Sequence, residues 1–252
     1  MAIWDDPQTG TERSGFTAAT VGVPRATRDA GLRSYMLSVY NYMASGVLLT
    51  GIVALGFANS SLINLIVNPA TGQATPLFWI ALFAPLAVVF ALSFGINRIS
   101  AGTAQALFWI YAALVGVQFS SLFLVYTGVS IAQTFFAVAA GFAGLSLWGY
   151  TTKKDLSGMG SFLIMGVFGL FVALIINMFL RSPGLQLATS AIGVLLFAGL
   201  TAYDTQKIKS IYFVVAGNGE AMAKTAVIGA LNLYLDFINM FLFLLRFMGQ
   251  RR

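Results

Sequence analysis

Cysteine and histidine do not occur in this chain, and charged side chains make up only 9% of its 252 residues. The absence of cysteine excludes disulfides and iron–sulfur clusters. Without either residue the usual zinc sites are gone as well, so oxygen ligands must meet any metal ion. Proton chemistry near neutral pH cannot come from imidazole and must come from carboxylates in unusual surroundings. Polar surface is equally scarce: 58% of the residues are hydrophobic and the mean hydropathy is +0.85, which leaves too few polar groups to cover a soluble globule. What remains is an integral membrane protein. The 14 Lys and Arg outnumber the 8 Asp and Glu, but they are scattered among short loops. That pattern is a topology signal, and it argues against a nucleic-acid partner.

Judged against about 20 apolar residues per crossing, the spans are 35–58, 77–97, 104–126, 129–150, 160–180, 185–208 and 226–247. The expected fold is all-α and polytopic, with about seven transmembrane helices and the last one central. Residues 1–34 are polar, carry Pro7, Pro24 and charges of both signs, and read as a disordered cytoplasmic tail ahead of a transmembrane domain over 35–252. No cleaved signal peptide is expected, because the first apolar run is too long and starts too late. Small residues recur inside the spans: Gly46, Gly51 and Gly56 in the first, Ala137, Ala140, Gly141 and Gly144 in the fourth, Gly160, Gly166 and Gly169 in the fifth. In lipid such residues let helices approach closely.

Loop charges alternate. Arg25, Arg28 and Arg33 precede the first span; Arg98, then Lys153 and Lys154, then Lys207, Lys209 and Lys224 mark every second connector, whereas the intervening ones hold only Arg181. The positive-inside rule puts the N-terminus in the cytoplasm and the C-terminus outside. Arg246, Arg251 and Arg252 run against that rule, and a re-entrant last segment would return the C-terminus to the cytoplasm.

Each of the last two spans carries an aspartate where hydrocarbon should be. A charged carboxylate there costs roughly 2.5–3.5 kcal/mol on insertion scales, so such residues face inward and mark functional sites. On the last span Asn232, Asp236, Asn239, Phe243 and Arg246 follow at steps of four, three, four and three, which puts them on one face. On the sixth, Thr201, Asp204 and Ile208 share a face, with Tyr203 and Lys207 on its flanks. The depths of Asp204 and Asp236 agree better if the sixth helix continues through 211–215. Antiparallel packing then brings the carboxyls together. Two such acids titrate as a unit, and a shared proton is their natural ground state at mild acidity. Raising the pH removes it and leaves negative charge that separation, a basic side chain or a cation must relieve. Arg98, at the cytoplasmic end of the second span, is either the internal counter-charge or an ordinary topology arginine.

Three stretches carry a resemblance: Tyr150-Thr151-Thr152-Lys153-Lys154-Asp155-Leu156-Ser157, Tyr203-Asp204-Thr205-Gln206-Lys207-Ile208 and Leu233-Tyr234-Leu235-Asp236-Phe237-Ile238-Asn239. With their order and spacing, the chain resembles the bacterial branch of the Bax inhibitor (TMBIM) family from about residue 35 to 247. The resemblance implies two layers of three helices around a central seventh, and a pH-sensitive calcium leak gated by the pair Asp204 and Asp236, with Arg98 in the place of the family's arginine. It further implies a bacterial inner-membrane location and, through bacterial relatives, a membrane-bound protease as partner. One departure is visible: some members carry Gly-Pro near the third connector, where this chain reads Tyr126-Thr127-Gly128-Val129. Apart from the bilayer, the partner the resemblance implies is calcium as the transported ion, and the oxygen ligands available agree with it. It would be held weakly by Asp204 and Asp236, with Asn232, Asn239 and Thr201 along the ion pathway, and no cofactor is expected. Two other readings compete. One is a protein that regulates a membrane protease and moves no ion. The other is an intramembrane aspartyl protease, disfavoured because Leu233-Tyr234-Leu235 replaces the small residues such enzymes carry before the second aspartate.

Overall fold

The computed structural model describes residues 25–68, 71 and 73–252. The helices are α1 (Arg25–Ala58), α2 (Pro76–Gly95), α3 (Ala101–Ser120), a short α4 (Leu122–Val125), α5 (Gly128–Thr151), α6 (Ser157–Leu180), α7 (Pro183–Val215) and α8 (Gly219–Met248). α4 prolongs α3, so seven helical segments are long and apolar enough to span a membrane. Among the described residues the only β-pairing is two isolated bridges. The start of α1 corrects the expected tail boundary. Residues 25–34 belong to the first helix, where Leu32 is already buried; residues 1–24 lie outside the described part.

Helix starts follow the sequence. Ser100, Thr127, Ser182 and Asn218 each accept the amide of the residue three positions on, and Pro183 stands where its missing N–H costs nothing. α7 continues past Ile208 to Val215, as the depths of the aspartates required.

Packing places α8 in the middle. Two-thirds of its most apolar window is buried, against about a tenth for α2 and α6. α1 and α3 lie on one side of it with α2 outside them, and α5 and α7 lie on the other with α6 outside. These are the two three-helix layers expected from the resemblance. In hydrocarbon there is no hydrophobic drive between helices, so close backbone approach and interhelical hydrogen bonds must hold such layers together. Both are present. Thr50 donates to the Ala112 carbonyl at 2.8 Å, which uses its only proton; the Tyr234 hydroxyl therefore donates to Thr50 at 2.6 Å, joining α1, α3 and α8. A second chain has a fixed direction for the same reason. Thr205 donates to the Thr201 carbonyl at 2.8 Å, so Ser146 donates to Thr205 at 2.9 Å and Tyr40 to Ser146 at 2.7 Å. It ties α1 and α5 to α7 beside Asp204.

The small residues divide. Gly46 faces the Phe108 ring, Gly160 the Tyr203 ring and Gly166 Leu196, whereas a side chain at Gly51, Gly56, Gly141, Gly144 or Gly169 would meet nothing within 4 Å. The expectation of close contact holds for the first three only. The tightest backbone approaches between helices are at Gly116, against the Thr50 carbonyl, and at Gly149, against Ala202.

α8 runs unbroken to Met248, and the chain beyond it pairs with the connector between α4 and α5: the Thr127 amide donates to the Gln250 carbonyl at 3.1 Å, and the Arg252 amide to the Val125 carbonyl at 3.0 Å. The last segment therefore does not re-enter. Its end lies with the 126–128 connector, which is also what fixes the place where the chain departs from the Gly-Pro pattern.

Candidate functional site

Asp204 on α7 and Asp236 on α8 line the same cleft, and each acts electrostatically on the other. Asp236 is 3% exposed, and its Oδ2 has no hydrogen-bond partner. An orphan oxygen of this kind is costly in a dry interior and marks a place where a proton or a cation is wanted.

The pair opens into a cleft of about 470 Å³ between α6 and α8, floored by α7. It exists because α6 packs on α7 and stands off α8. One wall is apolar, with Val167, Leu170, Phe171 and Leu174 from α6; the other is the α8 stripe of Asn232, Asp236, Asn239, Phe243 and Arg246. All five residues of that stripe line the cleft, as their spacing predicts. Asn239 also donates to the Leu235 carbonyl at 2.8 Å, which fixes its amide along the helix. Towards the far end the Phe243 ring stacks on Phe197, with centroids 5.8 Å apart, in space left by Gly193. Arg246 lies beyond, its guanidinium 5.9 Å from the Phe243 ring.

A second cavity, of about 550 Å³, opens at the lysine-rich end between the end of α2, α7 and the first turns of α8. Lys207, Glu220 and Lys224 line it, and Glu220 pairs with Lys224 at 3.0 Å. Asn232 lines both this cavity and the cleft. The two spaces thus adjoin at one amide side chain.

Two expected residues are not brought to the pair. Arg98 is exposed beyond the end of α2. The basic side chain acting on Asp204 is Lys207, one turn along the same helix, where i,i+3 geometry puts it within reach. Sequence adjacency within the Tyr203–Ile208 stretch was the available signal. Thr201 is fully buried, its hydroxyl donating to the Phe197 carbonyl, and it does not line the cleft. It lies about 60° round the helix from Asp204, whereas Phe197, seven residues back, lies within about 20° and takes the lining position.

The connector between α5 and α6 is fixed to α7 beside this site. The Gln206 side chain accepts the Leu156 amide and donates to the Lys154 carbonyl, both at 2.8 Å, and Lys209 donates to the Tyr150 carbonyl at 2.8 Å while lying 4.9 Å from that ring's centroid. Gln206→Ala removes two of these bonds, each worth about 1 kcal/mol. Trypsin should then cut after Lys153 or Lys154 roughly thirtyfold faster in the native protein, since cleavage follows the open population; an unchanged rate would show that the connector is held otherwise.

Comparison with known proteins places nearly the whole described chain in one family. Residues 32–252 match the family model described as "Inhibitor of apoptosis-promoting Bax1". An uncharacterised protein of Rickettsia prowazekii is 50% identical over 90% of this chain and 93% of its own length. "Inner membrane protein YbhL" of Escherichia coli K12 is 46% identical over 88% of this chain and 94% of its own. A family match over nearly the whole described chain, with relatives this similar end to end, shows that this seven-helix membrane protein belongs to the Bax inhibitor family.

Proposed function

We propose that the protein is a calcium leak of a bacterial inner membrane, gated by one proton shared between Asp204 and Asp236. The observation that carries this reading is that Asn232 lines both the cleft holding the pair and a cavity at the lysine-rich end. Two carboxylates with amide oxygens beside them are a sparse oxygen set, which suits an ion that must leave as well as arrive. The Phe197–Phe243 stack supplies an apolar stretch of the cleft wall between the pair and Arg246. Holding the proton keeps α7 and α8 together; losing it leaves two like charges that repel or admit a cation.

The test is calcium flux into dye-loaded proteoliposomes across a pH series. Flux that varies with pH supports the leak, and vesicles that stay dark at every pH would favour the regulator that binds a membrane protease. Incubation with membrane-peptide substrates at the same pH values checks the protease reading, which cleavage lost in Asp236→Asn would revive.

Arg246 supplies a further expectation. It lies ten residues, or about 15 Å, along α8 from Asp236, where it repels a divalent ion by about 0.5 kcal/mol in water. Arg246→Gln should raise the flux two- to threefold at fixed pH without moving the pH midpoint. A lower flux would place the arginine outside the path.

A further inference from the structure

Beside the aspartate cleft, at the same end as the Asn232 cavity, lies a separate pocket of about 320 Å³ between the α5–α6 connector and α7. Three lysines line it, Lys153, Lys154 and Lys207, together with Ser157 and Ser210. Among the described residues the only ion pair is Glu220–Lys224, so none of these three lysines is neutralised by an acid at salt-bridge distance. One carboxylate, Asp155, shares the pocket. Its Oδ1 accepts the Ser157 amide at 2.9 Å, and hydrogen bonds from Ser157 hold its carboxyl below the usual range. Asp155 therefore stays ionised and turned to the backbone; Lys207 also acts on Asp204, and the pocket keeps a net positive charge from Lys153 and Lys154 together against Asp155 alone.

The cradle is built rather than fluid. Gln206 and Lys209 pin the connector to α7, so the backbone carrying Lys153 and Lys154 has a set place relative to Lys207. It also has a set depth. α5 ends at Thr151 and α6 begins at Ser157, and the headgroup layer occupies about 5–8 Å on each side of the hydrocarbon. The Ser210 hydroxyl donates to the Lys207 carbonyl at 2.7 Å and that of Ser157 to Asp155, so the lysines are the donors left for a ligand, and point-charge donors at that depth suit a tetrahedral phosphate.

We propose that this pocket binds the phosphate of an anionic phospholipid headgroup. Lys207 lines the pocket on one side and the cavity leading to Asn232 on the other. A bound phosphate offsets the positive charge that calcium meets at that mouth, so anionic lipid raises the leak. This second step rests on the proposed leak; the binding site does not.

The experiment uses the full chain in two double variants that remove equal charge, K153A/K154A at the pocket and R251A/R252A at the opposite end. Native mass spectrometry from mixed micelles counts retained phosphatidylglycerol against phosphatidylcholine of the same acyl chains. Wild type and R251A/R252A should retain the anionic lipid at least fivefold better than K153A/K154A, with all three melting within a few degrees of one another. Equal retention by the two variants would overturn the site. Stabilisation of the wild type by inorganic phosphate with no preference for phosphatidylglycerol would overturn the lipid assignment in favour of a free phosphate. In calcium-flux vesicles, phosphatidylglycerol should raise wild-type flux about threefold over pure phosphatidylcholine, and K153A/K154A should lose that increase. Lysine-dependent retention without flux in any vesicle would remove the leak and leave the site, whereas flux with equal retention would remove the site and leave the leak.

Discussion

Asp236→Asn is expected to flatten the pH response of calcium flux. Two carboxylates about 4 Å apart repel by about 4 kcal/mol at an effective dielectric constant of 20, enough to move a two-state helix pair from mostly closed to mostly open. Wild-type flux should therefore change at least about tenfold between its extremes of pH, since that needs only about 1.4 kcal/mol of the available repulsion. The asparagine keeps the shape and a hydrogen bond to Asp204 but cannot release a proton, so the variant should vary less than about twofold over the same range. Asp204→Asn should do the same, because a shared proton belongs to both acids and either substitution removes the coupling. Equal pH profiles for the wild type and both variants would refute the gating role, whatever the absolute flux. Thr201→Val is the informative control: its hydroxyl bonds its own helix and does not line the cleft, so the pH response should survive.

Gly149→Ala should be the most damaging single methyl group added to the bundle. A Cβ there would run into the Ala202 carbonyl oxygen and lie 2.9 Å from its Cα, so backbone rather than a flexible side chain has to yield. Overpacking of this kind costs about 1–3 kcal/mol. The helices that would part are α5 and α7, two residues from Asp204, and the Ser146–Thr205 bond one turn away would lengthen with them. Thermal unfolding in detergent should show a clear loss for Gly149→Ala. Gly141→Ala, on the same helix but with nothing within 4 Å, should be neutral or slightly stabilising because alanine is the better helix former. Equal melting of the two variants would mean that α5 and α7 are farther apart than their backbones indicate.

The contrast between those glycines shows where sequence reading stopped. Spacing placed Gly141 and Gly144 among small residues suited to helix contact, and both turn out to face open space. Gly149, unremarked in the same helix, carries the contact. Helical periodicity assigns residues to a face but does not say which neighbour covers it. Arg98 shows the same gap in charge form: proximity to the end of a span made it a candidate counter-charge, and the packing left it exposed while Lys207 took the part.

The membrane class, the seven crossings and the α8 stripe were legible because each depends on local chemistry: hydrocarbon length, 3.6-residue spacing and the cost of a lone carboxylate in lipid. Separation in space was not. Only the tertiary structure decided that α6 stands off α8 to open a cleft, that Asn232 belongs to two cavities at once, that Thr201 turns away from the acids, and that the C-terminal residues bind the α4–α5 connector instead of folding back. Each of these depends on how far apart two helix axes lie and how they are rotated against each other. Contacts between residues distant in the chain set both, and no run of neighbouring residues encodes them.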